Sequence, residues 1–275
     1  MNSAAERLAA AGKVSPRLDA ETLLMFALGC DRAHLYAHPE RSLSAEEQTR
    51  YHAALAERER GVPLQYITGH QEFWGLDLIV SPDVLIPRQE TEHVIEAVLE
   101  LARGMDAPRI VDVGTGSGCI ALALAKELAS AEIHAIDISP AALEVARANA
   151  ARHGLSERIR FRESDLLSAM SEEVGSFDFV VSNPPYVGES EREGLQREVR
   201  DFEPHAALFA GVTGLEVIER LIPQAGPCLR SGGWLLLEIG KGQDAAVEGM
   251  LRKWNVVSSR PDLQGIPRVF VARRS

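Results

Sequence analysis

After Pro108 the chain alternates short β-branched or aromatic runs with helix-forming stretches of 10–15 residues, a rhythm that few folds accommodate. The runs 109–113, 132–137, 157–163 and 177–182 read as strands, with helices expected over 117–129 and 139–152. A further strand is expected from Trp234 to Ile239 after Gly232-Gly233, followed by a helix through Met250, and two last strands near 254–260 and 268–273. Strands separated by whole helices are joined by crossovers, which favours a parallel sheet with helices on its faces. The final pair has no helix between its members and is expected as an antiparallel hairpin at the sheet edge. The fold class is therefore α/β: a doubly wound, mostly parallel, seven-stranded sheet.

The first part of the chain has a different period. From about residue 3 to 60 apolar residues recur at helical spacing, with Leu18, Leu23, Leu24, Phe26, Ala27 and Leu28 expected on one face. Ser15-Pro16 reads as a helix start with Pro at the first helical position, and Ser44 with Glu47 as a capping box. Four or five short helices are expected. Gly61-Val62-Pro63 breaks this pattern, and Glu72 to Val80 reads as a hairpin turning near Gly75. It leads into Leu85-Ile86-Pro87-Arg88-Gln89-Glu90-Thr91-Glu92 and a helix to about Leu101. The expected division is a helical domain at 1–70, a hairpin linker at 71–87 and the α/β domain at 88–275.

Composition limits the function classes. A chain of 275 residues with 45% apolar and 25% charged residues matches an ordinary soluble globular protein. No apolar run approaches the ~18 residues of a membrane span. The N-terminus carries Glu6 and Arg7 and no apolar segment, so no signal peptide is expected. Cys30, Cys119 and Cys228 form no C-x-x-C pair and no metal-ligand cluster; reduced thiols, a cytoplasmic location and no zinc are expected. The net charge of −11 is unevenly placed: residues 1–70 hold 8 Lys/Arg against 9 Asp/Glu, and the rest hold 21 against 31. Nucleic-acid binders normally carry a basic footprint for phosphate contacts, and these totals carry none.

Chemistry concentrates at the strand ends. Asn183-Pro184-Pro185-Tyr186 follows directly on the apolar run 177–182. Open α/β sheets bind ligands outside the carboxyl ends of their strands, and proline fixes φ while donating no N–H. The junction thus offers a carboxamide and a free backbone carbonyl on a stiff loop, equipment suited to holding a reacting NH2 group. Earlier, Val111-Asp112-Val113-Gly114-Thr115-Gly116-Ser117-Gly118 runs from a strand into a glycine turn that opens a helix. Its backbone N–H groups can face a nucleotide or nucleoside, or the segment can be a tight turn alone. The spacing is G-x-G-x-G, whereas the dinucleotide fingerprint would need a small residue at position 119, where Cys119 stands. Asp137 ends the second strand, where a carboxylate can accept both ribose hydroxyls; as a helix cap it is second to Ser139. Asp165 follows the third strand and can meet an exocyclic amine or serve as a loop acid.

These features in series resemble the class I S-adenosylmethionine-dependent methyltransferases. The whole chain resembles the glutamine N5-methyltransferases that modify peptide chain release factors, through its helical N-terminal domain, Pro63 to Gly69, Leu85 to Glu92, Asp112 to Gly118 and Asn183 to Tyr186. The resemblance implies a cytoplasmic enzyme that transfers a methyl group from S-adenosylmethionine to a glutamine side-chain nitrogen in the Gly-Gly-Gln loop of a release factor, leaving S-adenosylhomocysteine and using no metal. It implies that Gly114, Thr115, Gly116, Ser117 and Gly118 line the methionine moiety, Asp137 the ribose, and Asp165 with the Leu166 backbone the adenine. Asn183, Pro184, Pro185 and Tyr186 would hold the target amide, with Tyr186 against its flat face, and Asn183 would also contact the cofactor. Arg88 and Thr91 sit in a family motif near the cofactor mouth, and residues 1–70 would help dock the release factor. A monomer is favoured, and no membrane or direct nucleic-acid partner is expected. The alternatives are glutamine methylation of a ribosomal protein, N-methylation of a nucleic-acid base, a nicotinamide-dependent oxidoreductase, and a non-catalytic binding module.

Overall fold

Seven strands pair into one sheet in the computed structural model, which describes residues 2–262 and 264–275. Met1 and Leu263, which fall within the expected 1–70 and 88–275 domains, lie outside the described residues. The strands are β1 (Arg109–Val113), β2 (Glu132–Asp137), β3 (Ile159–Glu163), β4 (Phe177–Ser182), β5 (Leu229–Glu238), β6 (Asn255–Pro261) and β7 (Pro267–Arg273), in the spatial order β6-β7-β5-β4-β1-β2-β3. Strands β3, β2, β1, β4 and β5 run parallel, and β7 pairs antiparallel with both β5 and β6. The edge hairpin expected from the missing helix is present.

Both faces of the sheet are covered, so its central strands carry apolar residues on both faces rather than on alternate positions. Every residue of β4 is buried. Ile110, Phe179 and Val181 pack on one face with Val94, Val98 and the apolar side of the helix at Cys119–Glu127. Val111, Val180 and Leu235 pack on the other with Ile218, Leu221 and Ile222 of the helix at Glu216–Cys228. That second helix was not expected, because Pro223 and Pro227 interrupt its sequence pattern. Strand β5 also begins five residues earlier than Trp234. Gly232-Gly233 lies within the strand, at a register irregularity where Leu229 pairs with Phe177 and Trp234 with Phe179.

The hairpin turns at Trp74 (φ 54) and Gly75 (φ 66), both left-handed, the combination a tight two-residue turn between twisted strands needs. Tryptophan tolerates this poorly, and its backbone is tied down on both sides. Trp74 N donates to Glu92 Oε1 at 3.1 Å and its carbonyl accepts from Lys126 Nζ at 3.1 Å.

The chain divides into two compact units, residues 1–70 with 196–202 and residues 71–195 with 203–275. The smaller holds five helices from Asn2 to Thr68 and the short helix Arg197–Phe202. Ser44 forms the expected capping box with Glu47, and Pro16 opens the second helix. The apolar face of that helix needs correction. Ala20, Leu23, Leu24 and Ala27 are buried, but Leu18 is 50% and Phe26 46% exposed. At about 100° per residue these two fall roughly 100° or more from the centre of the buried stripe. Asp19 takes a buried place instead, paired with Arg58 at 2.7 Å.

Candidate active site

The strand order reverses between β1 and β4. From β1 the chain winds outward through β2 and β3, then returns to β4 on the other side. Ligands of open α/β sheets bind at such a switch point. Val113 and Ser182, the last residues of the two strands, are register partners, and Ser182 Oγ donates to the Val113 carbonyl at 2.7 Å. The glycine turn and the Asn-Pro-Pro-Tyr loop therefore open side by side onto one cavity of ≈ 420 Å³. Gly114, Thr115, Gly116 and Ser117 line it after β1, Asp137 after β2, Asp165 and Leu166 after β3, and Asn183 and Pro185 after β4. Gly118, Pro184 and Tyr186 do not line it.

The glycine turn combines two requirements. At Gly116 (φ 55) a Cβ would meet nothing within 4 Å, so glycine there serves the left-handed backbone and leaves the cavity open. At Gly118 (φ 83) a Cβ would collide with Leu122 Cδ1 and lie 3.2 Å from Ala146 Cβ. Gly118 lets two helices approach and touches no ligand space. The turn is held against β2: Gly114 N and Thr115 N both donate to the Ile136 carbonyl at 2.9 Å, and Gly116 N donates to Asp137 Oδ2 at 2.9 Å. Asp137 Oδ1 accepts from Ser139 N at 2.9 Å, while Ser139 Oγ caps the helix at Pro140 by accepting from Ala142 N. Burial raises the Asp137 carboxyl above its ordinary value despite these donors.

Beneath the turn lies an acid to which the sequence reading gave no role. Asp112 is fully buried; its Oδ2 accepts from Thr115 Oγ1 at 2.6 Å, and the Ala121 backbone N–H also favours its charged form. Burial pushes this carboxyl up to about 7, against the opposing hydrogen bond from Thr115. A nucleoside fits the cavity itself, which offers an acceptor at the end of β2 and open space over the glycines; Asp112 lies beneath, outside the cavity lining. The signal in the sequence was a charge set among Ile110, Val111 and Val113.

After β3, Asp165 pairs with Arg220 at 2.5 Å, both about half exposed at the cavity mouth. Leu166 holds a left-handed backbone (φ 51), a conformation that costs a non-glycine residue about 1–3 kcal/mol. Ser164 Oγ donates to its carbonyl at 2.6 Å and Gln224 Oε1 accepts from Leu167 N at 3.0 Å, which fixes the strained turn.

After β4, Asn183 Nδ2 donates to Thr91 Oγ1 at 3.0 Å, and Thr91 Oγ1 donates to Glu238 Oε2 at 2.7 Å. Tyr186 donates its hydroxyl to Glu238 Oε1 at 3.2 Å, so its polar end faces away from the cavity. Thr91 and Glu238 are each 1% exposed. Burial pushes Glu238 up to about 7, Glu90 adding to the shift and Thr91, Tyr186 and Arg268 opposing it. Burial, then Glu238, raises the Tyr186 phenol. Thr91 thus belongs to the cavity wall. Arg88 does not line the cavity; it pairs with buried Glu203 at 2.5 Å, whose other oxygen accepts from Ile86 N at 3.2 Å. Among the described residues no group of three or more His, Cys, Asp or Glu could hold a metal ion, and no helix is long and apolar enough to cross a membrane.

Residues 1–69 match the family described as PrmC N-terminal domain, and residues 92–199 the one described as methyltransferase small domain. The chain is 56% identical over 273 residues to a release factor glutamine methyltransferase of Koribacter versatilis, covering 99% of this chain and 96% of that protein. It is 43% identical to one of Nitratidesulfovibrio vulgaris, covering 100% and 94%. Among solved structures, the N-terminal domain of human METTL16 in complex with SAH has the same fold, with a TM-score of 0.52 at 22% identity over 84% of each chain.

Proposed function

The chain belongs to the release factor glutamine methyltransferase family, and on that premise we propose that it methylates the side-chain nitrogen (N5) of the glutamine in the Gly-Gly-Gln loop of a peptide chain release factor, with S-adenosylmethionine as donor. The observation that carries this reading is the Asn183 carboxamide, anchored by Thr91 and set beside the glycine turn on one cavity. When bound, S-adenosylmethionine supplies a methyl group on a sulfonium, an electrophilic carbon open to weak nucleophiles. The chain's residues divide the remaining work. Asp137 accepts from the ribose hydroxyls, and Gly114 to Ser117 leave room for the methionine moiety. Asp165 and the Leu166 backbone edge the adenine.

A glutamine amide nitrogen is a poor nucleophile because its lone pair is delocalised into the carbonyl, as in a peptide bond. Asn183 Oδ1 accepts one N–H of the target amide, leaving the lone pair directed at the methyl carbon, and the other N–H is assigned to the Pro184 carbonyl, on the same loop though Pro184 is outside the cavity lining. Both acceptors are fixed before reaction and stabilise the positive charge that develops on nitrogen. Alignment of this kind supplies about 7–11 kcal/mol in favourable systems. No base is needed beforehand, since the nitrogen becomes acidic only once alkylated and then loses its proton to water. Pro184 and Pro185 keep the loop from relaxing. Residues 1–70 dock the release factor, 71–87 link, and 88–275 carry the chemistry, in the cytoplasm.

The test is incubation of the chain with labelled S-adenosylmethionine and purified release factor, ribosomal protein and DNA, with the label located by mass spectrometry. Label on the Gly-Gly-Gln glutamine is expected. Label on ribosomal protein or DNA, with none on the release factor, overturns the reading.

A further inference from the structure

The reading above needs the oxygen of Asn183, not its nitrogen, to face the substrate, yet the two ends of a carboxamide have nearly the same shape. Something must choose between them. Asn183 touches Thr91, whose hydroxyl has one proton and two lone pairs. Thr91 in turn touches Glu238, at the carboxyl end of β5 and 147 residues away in sequence. A carboxylate only accepts, so it takes the single proton of Thr91. Thr91 can then only accept on its other side, and it must meet the Nδ2 end of Asn183. The carboxamide oxygen is left for the cavity that Asn183 lines. Tyr186 closes the arrangement from the other side by donating to Oε1, so both carboxylate oxygens are engaged and Glu238 cannot rotate away.

We propose that Glu238, acting through Thr91, is a positioning residue that fixes which end of the Asn183 carboxamide faces the ligand cavity. The role rests on the proposed use of Asn183 as an amide clamp, but the hydrogen-bond polarity itself needs neither cofactor nor substrate. Protonation of Glu238 releases the constraint, because a carboxylic acid can donate to Thr91 and free the threonine proton to point at Asn183. Burial places that protonation at about 7. The groups acting on Glu238 are Glu90, which favours the proton, and Arg268, which opposes it; Thr91 and Tyr186 hold its oxygens, and Cys119 and Arg88 are coupled to this cluster.

The chain has four asparagines, at positions 2, 149, 183 and 255, so selective 15N-asparagine labelling gives a readable set of side-chain NH2 signals. The Asn183 pair, assigned by its loss in Asn183→Ala, is expected to shift with a midpoint near pH 7 in the wild type and to lose that dependence in Glu238→Gln. In turnover assays Thr91→Val is expected to lower kcat at least tenfold with KM for the release factor changed less than threefold, and Thr91→Ser to restore most of the rate. A wild-type Asn183 signal that stays constant from pH 5.5 to 8.5, or a titration that survives Glu238→Gln, overturns the proposal. So does full turnover in Thr91→Val. Because the spectra need no methyl transfer, they decide this point even if the release factor proves not to be the substrate.

Discussion

Asp137 receives backbone N–H groups from Gly116 and Ser139 on separate oxygens, so one carboxylate both tensions the glycine turn and keeps lone pairs for a ligand. Asp137→Ala is expected to weaken S-adenosylmethionine binding at least tenfold in calorimetry, and unchanged affinity would contradict the ribose assignment. Asp165 differs. Its pair with Arg220 is about half exposed, a kind of interaction that adds no more than about 1 kcal/mol to stability. Arg220→Ala should therefore leave the urea midpoint almost unmoved while freeing Asp165 for a ligand amine; a large loss of stability would assign the pair a structural role. Leu166 keeps its left-handed backbone because Ser164 and Gln224 hold its turn, which puts the strain beside the ligand cavity rather than in the core.

At the scale of elements, glycines that look alike in the sequence separate by what surrounds them. Gly118→Ala must push aside Leu122 or Ala146, and overpacking of this kind costs about 1–3 kcal/mol. It is expected to lower stability in chemical denaturation more than Gly116→Ala, which meets left-handed backbone strain but no crowding and should act also on cofactor affinity. Equal effects of the two on stability would refute the distinction. This contrast also marks how far the sequence could be read. Strands β1, β2 and β4 stood out because covering both faces makes them short, mostly apolar and β-branched or aromatic runs bounded by turn residues. Their order put the glycine turn beside Asn183, since crossover rules leave one switch point. The helix at Glu216–Cys228 stayed hidden behind Pro223 and Pro227, although Ile218, Leu221, Ile222 and Ala225 give it a continuous buried stripe. Leu18 and Phe26 misled because leucine and phenylalanine outrank aspartate in any apolar pattern, yet Asp19 is the buried residue, satisfied by Arg58. The Glu238–Thr91–Asn183 chain had no local signal at all. It spans the sheet through partners far apart in sequence, and only tertiary folding brings them together.

Across the molecule, buried acids tie stability to pH. Asp112 and Glu238 are each pushed up to about 7 by burial, against about 3.9 and 4.3 for unfolded Asp and Glu. Both therefore retain protons in the folded chain that the unfolded chain has released. Their contribution is complete below the unfolded values and is lost as pH rises through 7. Glu132 and Asp262, held low by His134 and by Arg268, act in the opposite sense and lose their contribution only in more acidic solution. The melting temperature is accordingly expected to fall from about pH 5 to pH 8, and the double variant Asp112→Asn, Glu238→Gln to flatten that fall. A wild-type melting temperature that rises over this range would contradict the assignment. Within the smaller unit, Arg58 donates to Asp19 at 2.7 Å and pairs with Glu198 at 2.8 Å, joining the 196–202 segment to the helices. Removing one partner of a buried pair costs about 3–5 kcal/mol, so Asp19→Ala should sharply reduce hydrogen-exchange protection in the helices at Pro16–Leu28 and Ala45–Arg60. The account as a whole stands on the carboxamide of Asn183 gripping the target amide. Single-turnover methyl transfer to a release factor by Asn183→Ala measures this most directly: the account predicts a rate lower by about 10²–10³ with S-adenosylmethionine still bound, and a near-wild-type rate would contradict it.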